Sequence, residues 1–218
     1  VLIYEGFMYK YYPQINKILD LINNNEIGEI TKIISSFGIN ILTKKKFLFF
    51  NKKKKIDKEG RLFNKKLGGG SILDLGCYPV SFITMLLEKF RFINFDDYKV
   101  FRKKVEIGET GVDIDSKIEM KVNNKIIIEL SSSFKKNIGL ATEIYGSKGS
   151  IVIPNTWTGS SNIILKKENN KDIIKFDEID DIYLDQLNTI SNNLLNNNIG
   201  HNVDNMHLYM KRINQWIN

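Results

Sequence analysis

The chain has 218 residues, 42% of them hydrophobic, and a formal net charge of +7 at pH 7. This length suffices for one large domain or for a domain plus a fragment, and the apolar content excludes a chain that is disordered throughout. The positive charge comes with many Asn and Ile residues and without a basic stripe interleaved with aromatics, so we expect no nucleic-acid partner.

The first predicted elements are a strand, a helix and a second strand. Residues 1–9 are apolar and aromatic and predict a buried strand. Pro13 suits the first turn of the helix that follows, and residues 30–42, rich in β-branched side chains, predict the next strand. The basic segment Lys44–Gly60 is interpreted as a solvated loop or, alternatively, as a mobile cover over a site.

A glycine-rich stretch, Gly68–Gly70, then leads into a helix. Glycine permits positive φ and close backbone approach, and Pro79 fits only the first turn of a helix over residues 80–90. If the chain already turns helically here, Asp74 and Tyr78 share one face, because they are four residues apart. A carboxylate and a phenol at a glycine-lined helix start suit proton transfer. The alternative is a tight turn with an N-capping aspartate and a packed tyrosine.

Strand patterns dominate the middle of the chain, and two amphipathic helices end it. The strands are predicted over residues 98–107, 113–122, 125–132, 140–145, 151–153, 163–167 and 172–176, and the helices over 182–195 and 203–217. This order predicts an α+β domain, built as an open, largely antiparallel sheet with helices on one face. We expect a second subunit to cover the other face, because a large apolar sheet face would not stay exposed.

Three further features concern metal binding, membrane association and the cellular compartment. His201 and His207 have no cysteine or carboxylate at ligand spacing, so no metal site is predicted. No apolar run reaches the ~18 residues of a membrane span, so no membrane partner is expected. The single cysteine, Cys77, excludes an internal disulfide, is interpreted as inert core, and indicates a reducing, cytoplasmic location.

Five short motifs occur along the chain in a fixed order. They are Glu5–Gln14, Asn25–Ile30, Arg61–Phe63 followed by Gly68–Tyr78, Gly111–Asp113, and Ile144–Gly149. In this order they resemble landmarks of the glucose–fructose oxidoreductase / inositol dehydrogenase / MocA (Gfo/Idh/MocA) family. The first is similar to its E-A-F-M-Y-R-x-H-P-Q and the third to its R-L-F…G-G-G-x-L-x-D-x-G-x-[HY]. The tyrosine that ends the third motif places the resemblance closest to the dimeric dihydrodiol dehydrogenase-like branch.

The resemblance implies an oxidoreductase of two domains that uses NAD or NADP. A Rossmann domain would bind the dinucleotide through G-x-G-x-x-G. This chain has neither that motif nor the family's E-K-P with its catalytic lysine, so both are expected upstream of Val1, and the chain alone is expected to be inactive. Residues 1–28 would be the end of the Rossmann domain, with its last strand and helix. Residues 29–218 would be the substrate-binding and oligomerisation domain.

The resemblance also implies roles for individual residues. Tyr78 would be the general acid/base, with its pKa lowered by the missing lysine, and Asp74 would hold the substrate hydroxyl in register. The intact protein would transfer hydride between nicotinamide and a hydroxyl or carbonyl carbon of a sugar, cyclitol or dihydrodiol.

Four other residues are candidates for substrate binding. Phe37 and Trp157 fall where the family has aromatic pocket walls, with core packing as the alternative for both. Arg61 and Lys10 are candidate polar contacts at the cleft, although Lys10 replaces the family's arginine and loses its bidentate geometry.

A different class of function is a non-catalytic sheet domain used for oligomeric assembly. The presence of both Asp74 and Tyr78 argues against it, because an idle site need not keep both. Under either interpretation we expect a homodimer or a higher homo-oligomer formed through the open face of the sheet.

Overall fold

The computed structural model describes residues 4–47, 50–90, 98–159, 162–168, 170–196 and 202–218. Within these ranges the helices are α1 (Pro13–Asn23), α2 (Cys77–Lys89), α3 (Leu184–Leu195) and α4 (Asn202–Ile217). The strands are β1 (Ile30–Gly38), β2 (Thr43–Phe47), β3 (Phe50–Lys53), β4 (Tyr98–Ile107), β5 (Asp113–Val122), β6 (Ile126–Ser133), β7 (Thr142–Gly146), β8 (Ser150–Ile153), β9 (Ile163–Lys167) and β10 (Asn170–Ile174).

Eight of these strands form one sheet in the order β10-β9-β8-β7-β1-β6-β5-β4. β1 pairs with β6 in parallel, and the other neighbouring strands pair antiparallel. The predicted α+β class and the largely antiparallel sheet are therefore confirmed. The single parallel pair arises because β1 lies between β6 and β7, so strands far apart in sequence meet at the centre of the sheet.

One face of the sheet packs on the helices. In β5 and β6 the buried side chains alternate, with Ile118 opposite Leu130 and Met120 opposite Ile128. Because successive side chains of a strand point to opposite faces, these residues form one apolar surface. α2 lies against β1 and β6, and α4 packs on α2. By length and composition the helical stretch 65–89 could cross a membrane, but 72% of its most apolar part is buried inside the protein, which is typical of a core helix.

The opposite face of the sheet differs from the expected apolar surface. Lys117 of β5 contacts Glu129 at 2.8 Å and Glu119 at 3.0 Å. Lys32 of β1 reaches Glu129 at 2.5 Å, and Arg102 of β4 reaches Glu119 at 3.4 Å. This face is therefore held by ion pairs between neighbouring strands, although Ile34, Val152 and Ile164 also lie on it.

Two local predictions at the chain start and in the basic segment are wrong. The strand expected over residues 1–9 is absent from residues 4–9, where Met8–Tyr11 forms a 3-10 turn, and residues 1–3 lie outside the described part. A continuous apolar run does not distinguish a strand from an irregular buried segment. The irregular loop expected from residue 44 is instead the hairpin β2–β3, in which Lys44 faces Lys52. Like charges across a strand pair are unfavourable, so the basic segment carries little local indication of a hairpin.

The helices follow the predictions more closely. α1 begins at Pro13, in its first turn as expected, and its apolar residues join the common core. α3 and α4 are confirmed within two residues at each end. The predicted stripe of α3 is not buried in the described structure, because Tyr183, Leu187 and Leu194 are all exposed.

Candidate functional site

The glycine-rich stretch forms the tight turn that its composition predicts. Gly68 has φ +75° and Gly70 has φ +124°, both in the region that favours glycine. A Cβ on Gly69 would lie 2.8 Å from the carbonyl oxygen of Leu62, and one on Gly70 would collide with the carboxylate of Asp113. The turn therefore passes too close to its neighbours for side chains.

Asp113 at the start of β5 caps the helical run that leaves this turn. Its Oδ2 accepts hydrogen bonds from Ser71 Oγ at 2.6 Å and from the backbone N–H of Ile72 at 2.8 Å. Ser132 Oγ lies 3.0 Å from Ser71 Oγ. Burial raises the pKa of Asp113 against the lowering effect of these hydrogen bonds. The N-capping aspartate is thus Asp113 from the sheet, whereas Asp74 lies inside the helical run.

The helical run begins with a π-helical turn over Ile72–Gly76 and continues into α2 at Cys77. π-helical turns are rare in proteins, and those that occur are frequently found at functional sites. Pro79 is the third residue of α2, so it still lies in the first α-helical turn, but the helical run starts earlier than predicted. A proline ring crowds the carbonyl one turn before it, and the wider π turn accommodates this crowding.

Tyr78 lies among aromatic rings from three other parts of the chain. Its ring centroid is 5.3 Å from Phe7 and 5.2 Å from Phe37, both at an interplanar angle of 79°, and 6.0 Å from Trp157. Tyr9 lies 6.2 Å away. Edge-on packing of this kind is the favourable geometry for aromatic rings. It holds the Tyr78 ring in one orientation.

Phe37 and Trp157 are packed in the core, and their role as pocket walls stays a prediction. Trp157 is fully buried and donates its indole N–H to the carbonyl oxygen of Ser36 at 2.8 Å. Phe37 is 6% exposed and stacks on Trp157 at 6.1 Å. Both are core residues, and both contact Tyr78.

The surroundings of Tyr78 disfavour its ionised form. Burial raises the pKa of Tyr78 to about 12, and the neighbouring Cys77, Tyr183 and Asp74 act in the same direction. Each of these groups is negative when ionised and so opposes a second negative charge nearby. Burial likewise raises the pKa of Cys77 to about 12, so this thiol is unreactive at neutral pH.

Asp74 and Arg61 come together as an ion pair. Arg61 Nη1 lies 2.7 Å from Asp74 Oδ1, with the arginine side chain 67% exposed and the aspartate 19% exposed. A pair this open to solvent contributes ~1 kcal/mol or less to stability. Its significance is geometric, because it places a carboxylate four residues before Tyr78 at the edge of the aromatic cluster.

Lys10 contacts the aromatic cluster through Phe7. Its ammonium donates to Tyr209 Oη at 2.9 Å and sits 4.3 Å from the Tyr209 ring and 4.7 Å from the Phe7 ring. Burial lowers the pKa of Lys10 to about 8. Phe7 thus separates Lys10 from Tyr78, and the direct partner of this lysine is α4.

Three residues of the site were not found from the sequence. Asp113 belongs to the Gly111–Asp113 motif, which marked its position but not its contact. Tyr209 and Trp216 belong to α4 and showed only helical periodicity. The Trp216 indole packs on Gly76, where a Cβ would lie 3.0 Å from its ring, and donates to Ser116 Oγ at 2.6 Å.

The described part of the chain shows no candidate metal site. No group of three His, Cys, Asp or Glu side chains there is arranged to hold a metal ion. His201 lies outside the described residues. An open cleft lined by Asn25, Lys148 and Glu168 shares no residue with the Tyr78 region.

Sequence comparison gives the same family as the motifs. A family model described as the GFO/IDH/MocA C-terminal domain matches residues 15–152. The chain is 30% identical over 174 residues to trans-1,2-dihydrobenzene-1,2-diol dehydrogenase of Xenopus tropicalis, covering 79% of this chain and 46% of that protein. It is 25% identical to dTDP-3,4-didehydro-2,6-dideoxy-alpha-D-glucose 3-reductase of Saccharopolyspora spinosa, covering 72% and 42%. The chain spans about half the length of these curated relatives.

Solved structures share the fold at low sequence identity. KijD10, a 3-ketoreductase from Actinomadura kijaniata in complex with NADP and TDP-benzene, superposes with a TM-score of 0.74 at 15% identity, covering 98% of this chain and 60% of that one. An aldose-aldose oxidoreductase from Caulobacter crescentus complexed with glycerol gives 0.73 at 14% identity, covering 96% and 60%.

Proposed function

Because the chain belongs to the GFO/IDH/MocA family, we propose that it is the substrate-side part of an NAD(P)-dependent dehydrogenase or reductase. The substrate would be a small compound with a hydroxyl or carbonyl group, either a sugar, a cyclitol or a dihydrodiol. The relatives named above, which act on dihydrodiols and keto-sugars by their names, support this class without selecting one substrate.

One observation carries the proposal. The Tyr78 phenol is held by Phe7, Phe37 and Trp157 beside the Asp74–Arg61 ion pair. This arrangement offers a proton donor of fixed orientation next to a carboxylate that accepts a hydrogen bond from a substrate hydroxyl. Apolar aromatic walls exclude water around the reacting oxygen and strengthen both interactions.

Tyr78 would act as the proton donor and acceptor. With a pKa of about 12 it is protonated at neutral pH, so it can donate to a carbonyl oxygen as that oxygen becomes an alcohol. In the oxidation direction it must accept a proton, which requires a lower pKa. An ammonium group brought beside the phenol by another part of the full-length protein would lower that pKa.

The dinucleotide phosphates would not bind at the glycine-rich turn. A glycine-rich turn at a helix start is a typical anion site, but here the Asp113 carboxylate already accepts hydrogen bonds from the Ser71 hydroxyl and the Ile72 N–H. The phosphates would therefore bind elsewhere in the full-length protein. When bound, the nicotinamide would supply the hydride for reduction while Tyr78 donates the proton, and it would accept the hydride in oxidation while Tyr78 accepts the proton.

We further propose that residues 1–28 close a Rossmann domain, that residues 29–218 form the substrate and assembly domain, and that the protein is cytoplasmic. The free, largely buried thiol of Cys77 is compatible with a reducing compartment. A homodimer would form through the ion-paired face of the sheet. Light scattering of the full-length protein tests this, and a monomer at micromolar concentration would contradict it.

Replacement of Tyr78 tests the proposed chemistry. In the full-length protein, Tyr78→Phe keeps the ring and removes the hydroxyl, so turnover should fall by roughly 10²–10⁴-fold. The Kd of NAD(P)H, measured by fluorescence titration, should stay the same. Tyr145→Phe on β7, at the opposite face of the sheet, is the matched control and should leave turnover unchanged. Normal turnover of Tyr78→Phe with any polyol or sugar substrate would refute the assigned role.

A non-catalytic assembly domain is the competing function. It predicts that the full-length protein lacks NAD(P)H oxidation with all members of a ketone and keto-sugar panel, while its oligomer persists. Neither Tyr78→Phe nor Asp74→Asn would then change any measured property except stability.

A further inference from the structure

The helical run that carries Asp74 and Tyr78 is attached to the sheet at its first residues. Ser71 precedes the π turn but gives no side-chain cap to its own helix. Its hydroxyl instead donates to Asp113, which is 42 residues further along the chain. The same Asp113 oxygen accepts the backbone N–H of Ile72. A carboxylate from β5 therefore replaces the local cap that a helix normally has.

Asp113 is also enclosed on its other side. The carboxylate is buried, and its second oxygen lies where a side chain on Gly70 would have to be. Ser132 of β6 contacts the Ser71 hydroxyl at 3.0 Å. The start of the helical run is thus fixed by two adjacent strands and has no space to shift toward the sheet.

The hydrogen bonds of Asp113 to Ser71 and Ile72, which we call the clamp, lie at the start of the helical run that carries the proposed reacting groups. Asp74 lies three residues after Ser71, and Tyr78 lies seven residues after it. Both are therefore within the first two turns of one continuous helical run. Each residue of a helix is fixed relative to its neighbours by backbone hydrogen bonds. A displacement at Ile72 is therefore carried to Asp74 and to the Tyr78 ring.

Trp216 supports the same run further along. Its ring packs on Gly76, between Asp74 and Tyr78, and its indole N–H donates to Ser116, which is on β5 with Asp113. The two contacts hold the π turn at both ends against a single strand. A negative charge at the start of the run is also favoured by the helix dipole.

We propose that Asp113 is a positioning residue of the site, whose carboxylate sets the start of the helical run and thereby the placement of Asp74 and Tyr78. The effect on turnover rests on the proposed function. The effect on the helix start does not, and it is measurable without substrate.

The test compares three single variants in the full-length protein. Asp113→Asn keeps the shape of the side chain but replaces one acceptor oxygen by a donor. Ser71→Ala removes one of the two hydrogen bonds to Asp113 and is the milder change. Asp115→Asn is the matched control, since Asp115 lies two residues further on β5 and pairs with Lys136 at the surface.

The first readout is hydrogen exchange of the backbone amides, which needs no substrate. Asp113→Asn should accelerate exchange in a peptide covering Ile72–Tyr78 by about 10-fold or more, because the Ile72 N–H loses its charged acceptor. Ser71→Ala should accelerate it less, and Asp115→Asn not at all. Fluorescence gives a second signal, since both tryptophans, Trp157 and Trp216, pack on this run.

The second readout is steady-state kinetics. A displaced helix start should lower kcat by roughly 10–100-fold with little change in KM, because small misplacement of reacting groups is costly. Unchanged exchange at Ile72–Tyr78 in Asp113→Asn, or equal behaviour of Asp113→Asn and Asp115→Asn, would overturn the proposal. If Asp113→Asn does not fold, the exchange of Ser71→Ala decides in its place.

The two proposals fail in different ways. Accelerated exchange in a full-length protein without oxidoreductase activity would support the clamp and refute the proposed function. Unchanged exchange in an active protein would refute the clamp and leave the function standing.

Discussion

The two faces of the central sheet are stabilised by different interactions. On the helix-covered face, Ile118 and Leu130 lie opposite each other and are buried in the core. On the other face, their neighbours Lys117 and Glu129 form an ion pair at 2.8 Å. The same two strands supply both surfaces, because side chains alternate along a strand. Burial therefore holds one face together, and charge pairing organises the other.

The comparison indicates where the site can tolerate change. The aromatic cluster is close-packed, so a substitution there alters both stability and the orientation of Tyr78. The ion-paired face is partly open to solvent, where charges are screened and each pair contributes little. Three predictions test this difference, in order of decreasing effect.

Trp157→Ala should have the largest effect on stability. The side chain is fully buried, contacts Tyr78, Phe37 and Tyr9, and donates a hydrogen bond to Ser36. Its removal leaves a large cavity, which typically costs about 3–5 kcal/mol. Chemical denaturation followed by circular dichroism measures the free energy of unfolding.

The control for this variant is another aromatic residue outside the cluster. Phe101 on β4 is 56% exposed, so Phe101→Ala should cost less than about 0.5 kcal/mol. Equal losses for the two variants would contradict the assignment of Trp157 to the supporting wall of the site.

Lys10 tests how a charge behaves on the buried face. Its pKa is lowered to about 8 by burial, from an ordinary value of 10.5. Between these two pH values the unfolded chain binds the proton more readily than the folded chain. Stability relative to Lys10→Met should therefore rise with pH from about 8 to 10.5, by on the order of 3 kcal/mol, and stay level below pH 8.

The measurement is the free energy of unfolding of both proteins across this pH range. Other groups titrate there too, but they are common to both proteins and cancel in the difference. Lys99→Met, at an exposed position on β4, provides the control for the loss of a surface lysine. A flat difference for Lys10→Met would show that the ammonium is well solvated.

Lys117→Met should have the smallest effect. Lys117 bridges Glu119 and Glu129 on the ion-paired face, and Glu129 raises its pKa. We expect a loss of about 0.5–1 kcal/mol at low salt that largely disappears at high salt. Unfolding at several ionic strengths checks this. These values are for the monomer, at protein concentrations below those at which the proposed dimer forms, and a loss above 2 kcal/mol that high salt does not reduce would contradict them. A loss that grows with protein concentration would support burial of this face by a partner subunit.

Local pattern was sufficient where neighbours in sequence are also neighbours in the structure. Alternation along β5 gave its extent, and Pro13 gave the start of α1. The spacing of Asp74 and Tyr78 placed both on the helical run that the structure shows. The pattern failed for residues 4–9, because three adjacent apolar side chains are all buried there without forming a strand.

The basic hairpin shows a second kind of failure. β2 and β3 are rich in lysine, and Lys44 lies opposite Lys52, so β propensity and cross-strand attraction mark them only weakly as strands. Similarly, α3 has the apolar stripe of a buried helix, yet the described structure leaves Leu187 and Leu194 exposed. In both cases the local pattern does not specify the contacts that the rest of the molecule provides.

The sequence by itself determined the fold class, the order of most elements and, through the family motifs, the positions of Asp74, Tyr78 and Arg61. Only the tertiary structure decided what holds them. Asp113 caps a helix 42 residues before it, and Trp216 bonds to Ser116 across 100 residues. The physical reason is the separation in sequence of the interacting residues, because propensity and periodicity report only interactions within a turn or a strand pair. The clamp on the helix start and the walls around Tyr78 form only when distant segments pack together.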